Sequence, residues 1–317
     1  MKVFLLALST TLIFVAPGRA QRYDSIIYSS DSLKYKNVQC YKYLTSTFCY
    51  SKPQLFSFVT HAPKTISMTF KETFSRKSLP VLSAIALSTL VLIPFDQDIT
   101  NGVQKLSNNI DLNSDIVYSN VLGFKMGSKY IPIYQAPRNL NTAVYSLGEG
   151  FTSTILSGGM FIYGKIKRDN RTLQTASQIM QAQIAVGLIT QVFKRVSGRE
   201  SPRVSSASGG VWRPLVSFSN FQNHTSKYDA FPSGHLATMM ATVTVLTSNY
   251  PEKKWLKPVC YALTGMVGYA MVNNGVHWSG DYPLALGIGY LCGKVTVNMN
   301  RFVQGQRSSE RRAFRWL

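Results

Sequence analysis

Runs of apolar residues recur along the chain at the spacing of buried helices. Connections rich in Asn, Gly, Ser and Pro separate six such segments, at residues 79–95, 142–165, 173–195, 235–249, 255–273 and 282–299. No series of alternating apolar and polar positions competes with them. The pattern predicts an all-α fold, a helical bundle of five to six core helices.

The part of the chain before residue 142 has weaker helical periodicity outside the apolar segment at 79–95. Residues 21–65 show no sustained period, and residues 96–141 indicate a long, mostly irregular insertion. Residues 66–77 place apolar and basic positions at helical spacing, which fits an amphipathic helix at a membrane and an ordinary surface helix equally well. We therefore expect an irregular N-terminal extension with amphipathic and short apolar helices over 21–141, followed by a helical domain over 142–299.

The N-terminus has the pattern of a secretory signal peptide, which we expect to comprise residues 1–20. Lys2 precedes the apolar run VFLLALSTTLIFVA, and Gly18 and Ala20 supply the small residues of a cleavage site. This pattern predicts an exported protein of the cell envelope.

Four cysteines fit an exported chain of this length without forming a disulfide framework. Cys40 and Cys49 lie in a Tyr- and Ser-rich segment, where they can either close a short loop in an oxidising compartment or remain thiols. Cys260 and Cys292 lie in apolar runs, which favours small buried side chains.

The net charge is strongly basic. The chain has 34 Lys and Arg against 14 Asp and Glu, a formal charge of +20, and residues 300–317 form a basic tail. Such a surface favours nucleic acid, acidic lipid head groups or phosphorylated substrates. Because export separates the protein from nucleic acid, we expect a phosphorylated small molecule or lipid and a membrane surface as partners, and no nucleic acid. The sequence carries no signal for an oligomeric state.

Membrane association is indicated, but its form is left open by hydropathy. No core segment offers about 18 uninterrupted apolar residues, because residues such as Glu149 and Gln178 interrupt them. Basic connections follow the second and fourth core segments, and in an alternating bundle they lie on the same side as the basic tail. The positive-inside rule would place that side in the cytoplasm and the other side in the export compartment.

The sequence FPSGH at residues 231–235 has the chemistry of an anion-binding site. Ser233 and Gly234 stand at the start of an apolar helix, where a hydroxyl, unpaired backbone N–H groups and the helix dipole all favour a phosphate. His235 in the first turn would lie beside the anion and could act as a general acid or base. A serine-capped helix with a structural histidine is the simpler interpretation of this stretch alone.

A second histidine stands four residues from a carboxylate. His277 and Asp281 have the spacing at which a carboxylate can orient an imidazole and leave its other nitrogen as a nucleophile. A satisfied loop histidine and a metal site are the alternatives, and the scarcity of nearby ligands disfavours the metal. Lys194 and several arginines follow the third core helix, so consecutive helix ends would bring these groups together.

These stretches resemble, in order and spacing, the three signature motifs of the type 2 phosphatidic acid phosphatase superfamily, which also contains bacterial non-specific acid phosphatases and vanadium haloperoxidases. The resemblance covers residues 142–299, and the residues that carry it are Lys194, Gly198, Arg199 and Pro202, then Pro232, Ser233, Gly234 and His235, then His277 and Asp281.

The resemblance implies a two-step displacement without metal or cofactor. His277, held by Asp281, would attack phosphorus to give a phosphohistidine, and His235 would protonate the leaving oxygen and later activate water. The phosphate ligands that the resemblance implies are Lys194, Arg199, Ser233 and Gly234.

Two arginines of the family pattern are missing. Ser201 stands where the first motif has arginine, and Met271 stands where the third motif has arginine. Arg199 is the expected substitute for the first, with Arg203 as a further candidate, because an arginine displaced by two residues can still direct its guanidinium inward.

The resemblance therefore predicts a metal-independent acid phosphatase that hydrolyses a phosphomonoester or pyrophosphate, of a lipid in view of the apolar helices and basic surface. A catalytically silent relative that binds a phospholipid is the first alternative, because of the missing arginines. A vanadate-dependent haloperoxidase with His277 as the vanadate ligand is the second.

Overall fold

The computed structural model describes residues 38–303, excepting the side chain of Lys129. The predicted signal peptide, residues 1–20, lies outside the described residues, as does the tail beyond residue 303. Helices dominate the described part, which confirms the all-α fold class.

Seven helices build the bundle and the apolar segment beside it. They are α2 (Ala62–Thr73), α3 (Leu79–Leu92), α6 (Gly150–Lys167), α7 (Asn170–Ser197), α9 (Gly234–Asn249), α10 (Leu256–Asn273) and α11 (Tyr282–Asn300). The other helices are α1 (Ser57–Thr60), α4 (Asp96–Asn109), α5 (Leu140–Ser146) and α8 (Phe218–Asn223). The Asp169 side chain caps α7 and the Ser233 side chain caps α9, so both long inner helices begin where a short polar side chain accepts a backbone N–H.

The segment before the bundle is more regular than its sequence pattern indicates. Strands β1 (Val38–Tyr43) and β2 (Ser46–Ser51) form a hairpin, and the short strand β5 (Phe302–Val303) pairs with β2. Residues 96–141, expected to be mostly irregular, contain α4 and a hairpin of β3 (Tyr118–Met126) and β4 (Lys129–Pro137). A bulge near Leu122 and the small size of these hairpins hide the period-2 pattern.

The predicted helix over 142–165 is interrupted. Helix α5 ends at Ser146 and α6 begins at Gly150. Gly148 lies in the break, where an added Cβ would come 2.7 Å from Val267 Cγ1 and 3.3 Å from His235 Cβ. The break therefore lets the backbone pass close to the histidine of the FPSGH stretch.

Alternating helix directions bring the three motif stretches to one end of the bundle. Helix α7 ends there, α9 begins there, and the connection between α10 and α11 lies there. Gly198 ends α7 with φ +55°, a left-handed conformation that favours glycine, and its Cα faces the Arg213 carbonyl too closely for any side chain. The chain can therefore turn sharply after Lys194 toward the site.

The opposite end carries the disulfide and a partly buried ion pair. Cys40 and Cys49 are joined across β1 and β2, which settles the alternative that the sequence leaves open. The hairpin contacts the start of α7 through Tyr41, whose hydroxyl donates to Asp169 at 2.9 Å. Arg171 near the same helix start donates to both carboxylate oxygens of Glu252 at 2.7 Å. Cys260 and Cys292 are buried thiols, as expected.

Helices α9 and α11 approach each other through small residues. An added Cβ at Gly289 would overlap the Ala237 carbonyl oxygen, and one at Gly293 would come 2.7 Å from Thr244 Cβ. Because the two backbones are this close, the position of α9 relative to α11 is fixed, and so are the site residues at the ends of these helices.

Helix α7 buries polar side chains beside apolar ones such as Ile179 and Val186, and it also exposes apolar side chains on its outer face. Gln178 is 0% exposed and its side chain accepts from Asn249, while Gln181 is 1% exposed and donates to Thr65 at 2.7 Å. Leu188 and Val192 on the outer face are 56% and 57% exposed. The outward face of α6 is also apolar, with Ile155, Ile162 and Ile166 all exposed.

One helical stretch among the described residues, Leu79–Asn109, is long and apolar enough to cross a membrane by length and composition. Its most apolar window has a mean hydropathy of 1.9, and 11% of that window is buried. The stretch comprises α3, a 3-10 turn at Ile93–Phe95, and α4.

Gly289→Ala should destabilise the protein by about 1 to 3 kcal/mol, because the added methyl group must force α9 and α11 apart. The measurement is the free energy of unfolding in denaturant. Gly265→Ala in α10 is the matched control, since no atom lies within 4 Å of the added Cβ, and alanine there should be neutral or stabilising by up to about 1 kcal/mol. Equal effects of the two substitutions would contradict the close helix approach.

Candidate active site

A cavity at the motif end of the bundle brings two of the three stretches to its surface. Its volume is about 520 Å³. Helix α7 contributes Gln191 and Lys194, α9 contributes Gly234, His235 and Thr238, and the α5–α6 break contributes Gly148. The cavity therefore has a cation, a helix N-terminus and a histidine on adjoining walls.

The start of α9 is organised by a serine cap. Ser233 Oγ accepts from the Leu236 N–H at 3.4 Å and lies 3.7 Å from Met271 Sδ. Gly234 is the first helical residue, and a Cβ placed there would lie 3.6 Å from Lys194 Nζ. Glycine thus leaves space between the helix N-terminus and the ammonium group, in which an anion could contact both.

His277 has a defined hydrogen-bond partner. Its Nδ1 lies 2.7 Å from the carbonyl oxygen of Ala230. Because a carbonyl oxygen only accepts, Nδ1 carries the proton and Nε2 of the neutral ring is left with its lone pair. The ring centroid of His235 lies 5.7 Å from that of His277, so the two predicted catalytic histidines are neighbours.

Asp281 is not the direct hydrogen-bond partner of His277 that the motif spacing predicts. Its Oδ2 lies 3.7 Å from His277 Nδ1 and accepts instead from the Trp278 N–H at 2.8 Å. Its Oδ1 accepts from Arg199 at 2.7 Å. The loop folds back through a 3-10 turn at Ser279–Asp281, which turns the carboxylate toward Arg199.

Arg199 binds carboxylates and does not line the cavity. It is fully buried, and besides Asp281 it donates to Asp96 at 2.6 Å and to the Gly209 carbonyl at 2.7 Å. The rings of Trp212 and Trp278 lie 4.8 and 5.4 Å from its guanidinium carbon. This placement disagrees with the expectation that Arg199 holds phosphate oxygens, because both of its terminal nitrogens already have acceptors.

Comparison with known proteins agrees with the motif geometry. Residues 177–304 match the family model described as the PAP2 superfamily. This part of the chain is a PAP2-superfamily domain. It includes every predicted site residue, and the phosphatase class that the motifs predict agrees with the match.

Two solved structures resemble the chain containing this PAP2 domain. LpxE of Aquifex aeolicus is 22% identical and covers 50% of this chain and 82% of its own, with a TM-score of 0.36. A transmembrane PAP2-type phosphatidylglycerolphosphate phosphatase of Bacillus subtilis is 16% identical and covers 77% of this chain and 96% of its own, also with a TM-score of 0.36. No curated protein matches the chain significantly.

Arg203 stands at the rim of the PAP2 site with an exposed side chain. Its backbone N–H donates to the Gly275 carbonyl at 2.9 Å, and within residues 38–303 it has no ion-pair partner. Burial raises the pKa of Tyr145, and the positive charge of Arg203 opposes that rise. Tyr145 packs against His235 with ring centroids 4.8 Å apart, so this cation lies near the predicted catalytic histidines.

Asp229 and Asp96 are the acidic residues of the site that the sequence pattern did not indicate. Asp229 Oδ2 lies 3.4 Å from Lys194 Nζ, so the ammonium group already has an anionic neighbour. Asp229 stands two residues before FPSGH, where its position could have suggested a role. Asp96 lies far upstream of all three motifs, and no local signal marks it.

Both histidines of the PAP2 site are neutral at neutral pH. Burial lowers the pKa of His277 to about 3, and Lys194 acts in the same direction. Burial, His277 and Lys194 together hold the pKa of His235 well below its usual range. Burial also raises the pKa of Asp281 to about 6, although Arg199 and the Trp278 N–H oppose this.

The described residues contain no group of three or more His, Cys, Asp or Glu side chains arranged to hold a metal ion. The sequence expectation that this site is not a metal centre remains a prediction that chelation can test.

The stability of the wild-type protein should fall faster on acidification than that of His277→Asn. The pKa of His277 is 6.5 in the unfolded chain and about 3 in the folded protein. At pH values between these two, the unfolded chain binds a proton on His277 that the folded protein excludes, so lowering the pH favours unfolding. Asparagine does not titrate and retains a donor for the Ala230 carbonyl.

The measurement is the unfolding midpoint of both proteins between about pH 7 and pH 4. The raised pKa of Asp281 acts in the opposite direction, but Asp281 is present in both proteins, so the difference isolates His277. Parallel curves would contradict a neutral, buried His277.

Proposed function

We propose that the chain is a phosphatase that hydrolyses a phosphomonoester or pyrophosphate of a lipid through a phosphohistidine intermediate. The observation that carries the proposal is the convergence of Lys194, the Gly234 helix start and two neutral histidines at one end of the bundle. This set combines an anion-binding site, a nucleophile and a general acid in one place.

In the first step, His277 Nε2 attacks phosphorus. An N–P bond forms as the bond from phosphorus to the leaving oxygen breaks, and the leaving oxygen takes a proton from His235. The Ala230 carbonyl supports this role because it fixes the Nδ1–H tautomer at 2.7 Å and so directs the free lone pair to Nε2. A neutral His277 is ready to attack without first losing a proton.

In the second step, water attacks the phosphohistidine. His235 accepts a proton from the water, an O–P bond forms, and the N–P bond breaks to release phosphate and neutral His277. His235 must carry a proton in the first step although its pKa is low in the free protein. A bound phosphate dianion favours that protonation, because an adjacent negative charge stabilises the imidazolium.

The equatorial phosphate oxygens would be held by Lys194, by the N-terminus of α9 and by Arg203. Arg203 takes this role in preference to Arg199, whose terminal nitrogens bind Asp96, Asp281 and Gly209. Arg203 follows Ser201-Pro202, two residues beyond the position at which the superfamily resemblance implies an arginine. Its exposed side chain can reach an entering phosphate.

A lipid substrate is supported by the distribution of polarity in the helices beside the cavity. Helix α7 buries glutamines and exposes Leu188 and Val192, and α6 exposes Ile155 and Ile162. Apolar outer faces on helices that also bury polar side chains suit contact with acyl chains. Leu188 also lines the cavity, so the apolar face adjoins the site directly.

We further propose that the protein is exported and membrane-associated, with its cavity open to the cell envelope or exterior. The support is the leader-like sequence at residues 1–20 and the exposed apolar faces of α3, α6 and α7.

His277→Ala should reduce phosphate release by about 10³-fold or more, because the covalent step loses its nucleophile. The assay measures phosphate released from vesicles that contain a lipid monophosphate or a lipid diphosphate, and from a soluble aryl phosphate, with and without a chelator. His224→Ala is the matched control, since His224 is exposed and belongs to none of the three motifs.

Loss of activity on chelation would contradict metal independence. Binding of lipid phosphate without turnover by the wild-type protein would favour a silent lipid-binding relative, and halide oxidation that requires added vanadate would favour a haloperoxidase. Equal turnover of the soluble and vesicle-bound substrates would contradict lipid specificity while leaving the phosphatase assignment in place.

Arg203→Ala should lower kcat/KM by roughly 10²-fold, about 2 to 4 kcal/mol of transition-state stabilisation, since a cation facing the phosphoryl oxygens is removed. Arg76→Ala provides an exposed arginine in the turn between α2 and α3 as the control. Arg199→Ala should instead lower the free energy of unfolding by about 3 to 5 kcal/mol, because two buried carboxylates lose their partner. An Arg203 variant as active as the Arg76 variant would remove Arg203 from the site.

A further inference from the structure

Asp96 lies outside residues 177–304, which match the PAP2 family, yet its carboxylate contacts the catalytic end of the bundle. Oδ1 accepts from the Gly280 N–H at 2.7 Å and from Ser279 Oγ at 2.6 Å. Oδ2 accepts from Arg199 at 2.6 Å. Asp96 is fully buried, so all three contacts are shielded from water.

These contacts fall between the two residues of the third motif. Ser279 and Gly280 belong to the three-residue stretch that joins His277 to Asp281. The stretch forms a 3-10 turn at Ser279–Asp281, and Asp96 binds it from outside through one side-chain and one backbone donor. The position of the turn relative to α9 therefore depends on a residue of the N-terminal segment.

Glycine at position 280 makes this contact possible. A Cβ added to Gly280 would lie 2.8 Å from Asp96 Oδ2 and 3.1 Å from Ile93 Cγ1. The end of α3 and the start of α4 thus press directly against the backbone of the turn. No other residue type would permit this approach without moving Asp96.

The charges of this cluster are also complementary. Arg199 lies between two carboxylates, those of Asp96 and Asp281, and all three side chains are fully buried. Arg199 leaves α7 just after Lys194, so one guanidinium connects the helix that holds the phosphate-binding lysine to the turn that carries the nucleophile. Neutralising Asp96 would leave the Gly280 and Ser279 donors without their anionic acceptor.

We propose that Asp96 is a positioning residue for the reaction, which holds the Ser279–Asp281 turn and thereby keeps His277 Nε2 in line with a phosphate bound at Lys194 and Gly234. This inference rests on the proposed function for the identity of the nucleophile. It makes the segment Leu79–Asn109 part of the catalytic unit, although that segment lies outside the family match.

The test compares the binding of inorganic vanadate with that of inorganic phosphate, measured by calorimetry on full-length Asp96→Asn and wild-type protein. Vanadate forms a five-coordinate adduct that requires an in-line Nε2, whereas phosphate requires only the anion-binding site. The Kd of vanadate should rise by about 10-fold or more and that of phosphate by less than about 3-fold. Partial unfolding would raise both apparent constants by the same factor and leave their ratio unchanged, so it would not imitate this result.

Asp98→Asn is the matched control, because Asp98 is exposed on the same helix, and both of its constants should equal those of the wild type. Ser279→Ala removes one of the two turn donors without burying a new polar group, and it should raise the vanadate Kd by about 3-fold or more. This variant carries the test if Asp96→Asn does not fold. The proposal would be overturned if the vanadate-to-phosphate ratio of Asp96→Asn, or of Ser279→Ala where Asp96→Asn does not fold, equalled that of the wild type.

Turnover is measured separately. A wild-type protein that binds vanadate tightly but releases no phosphate from any substrate would overturn the proposed function, whereas the comparison of dissociation constants would still decide the role of Asp96.

Discussion

The catalytic end of this protein depends on one buried arginine. Arg199 is fully enclosed and bonds to Asp96, Asp281 and the Gly209 carbonyl, with tryptophan rings on its faces. A buried guanidinium is costly to desolvate, and two carboxylates in good geometry are needed to offset that cost. Because the two carboxylates come from different parts of the chain, the ion cluster fixes how those parts meet. The histidine that would attack phosphorus takes its place from this arrangement.

The remaining helices bury polar groups within an apolar core and expose further apolar groups on their outer faces. Gln178, Gln181 and Asn249 are buried and bonded to one another or to neighbouring hydroxyls and amides. Such directional contacts specify which helix faces meet, whereas close packing at Gly289 and Gly293 specifies how near two of them come. Together they leave the exposed faces free to match an apolar environment.

Much of this organisation could be predicted from the sequence, because helical periodicity and ordered motifs are local signals. The helix over 173–195, the cap at Ser233 and the grouping of Lys194, His235 and His277 at one end all follow from them. Interactions between distant segments could not be predicted. The spacing of His277 and Asp281 indicates a direct contact, but Arg199 competes for that carboxylate.

Other differences have the same origin. Asp96 carries no signal of its own, since its partners lie more than a hundred residues away and are backbone and side-chain donors of a turn. The hairpin of β3 and β4 was missed because an irregular register and exposed side chains on both faces remove the alternation that marks a half-buried strand.

The Cys40–Cys49 disulfide has a consequence for how the molecule can sit at a membrane. It lies at the start of α7, and the cavity lies at the other end of that helix, whose 28 residues extend for about 40 Å at 1.5 Å per residue. A disulfide persists only where the surroundings are oxidising. If the cavity opens to the envelope, as proposed, an intact disulfide requires that both ends of this helix stand in oxidising surroundings.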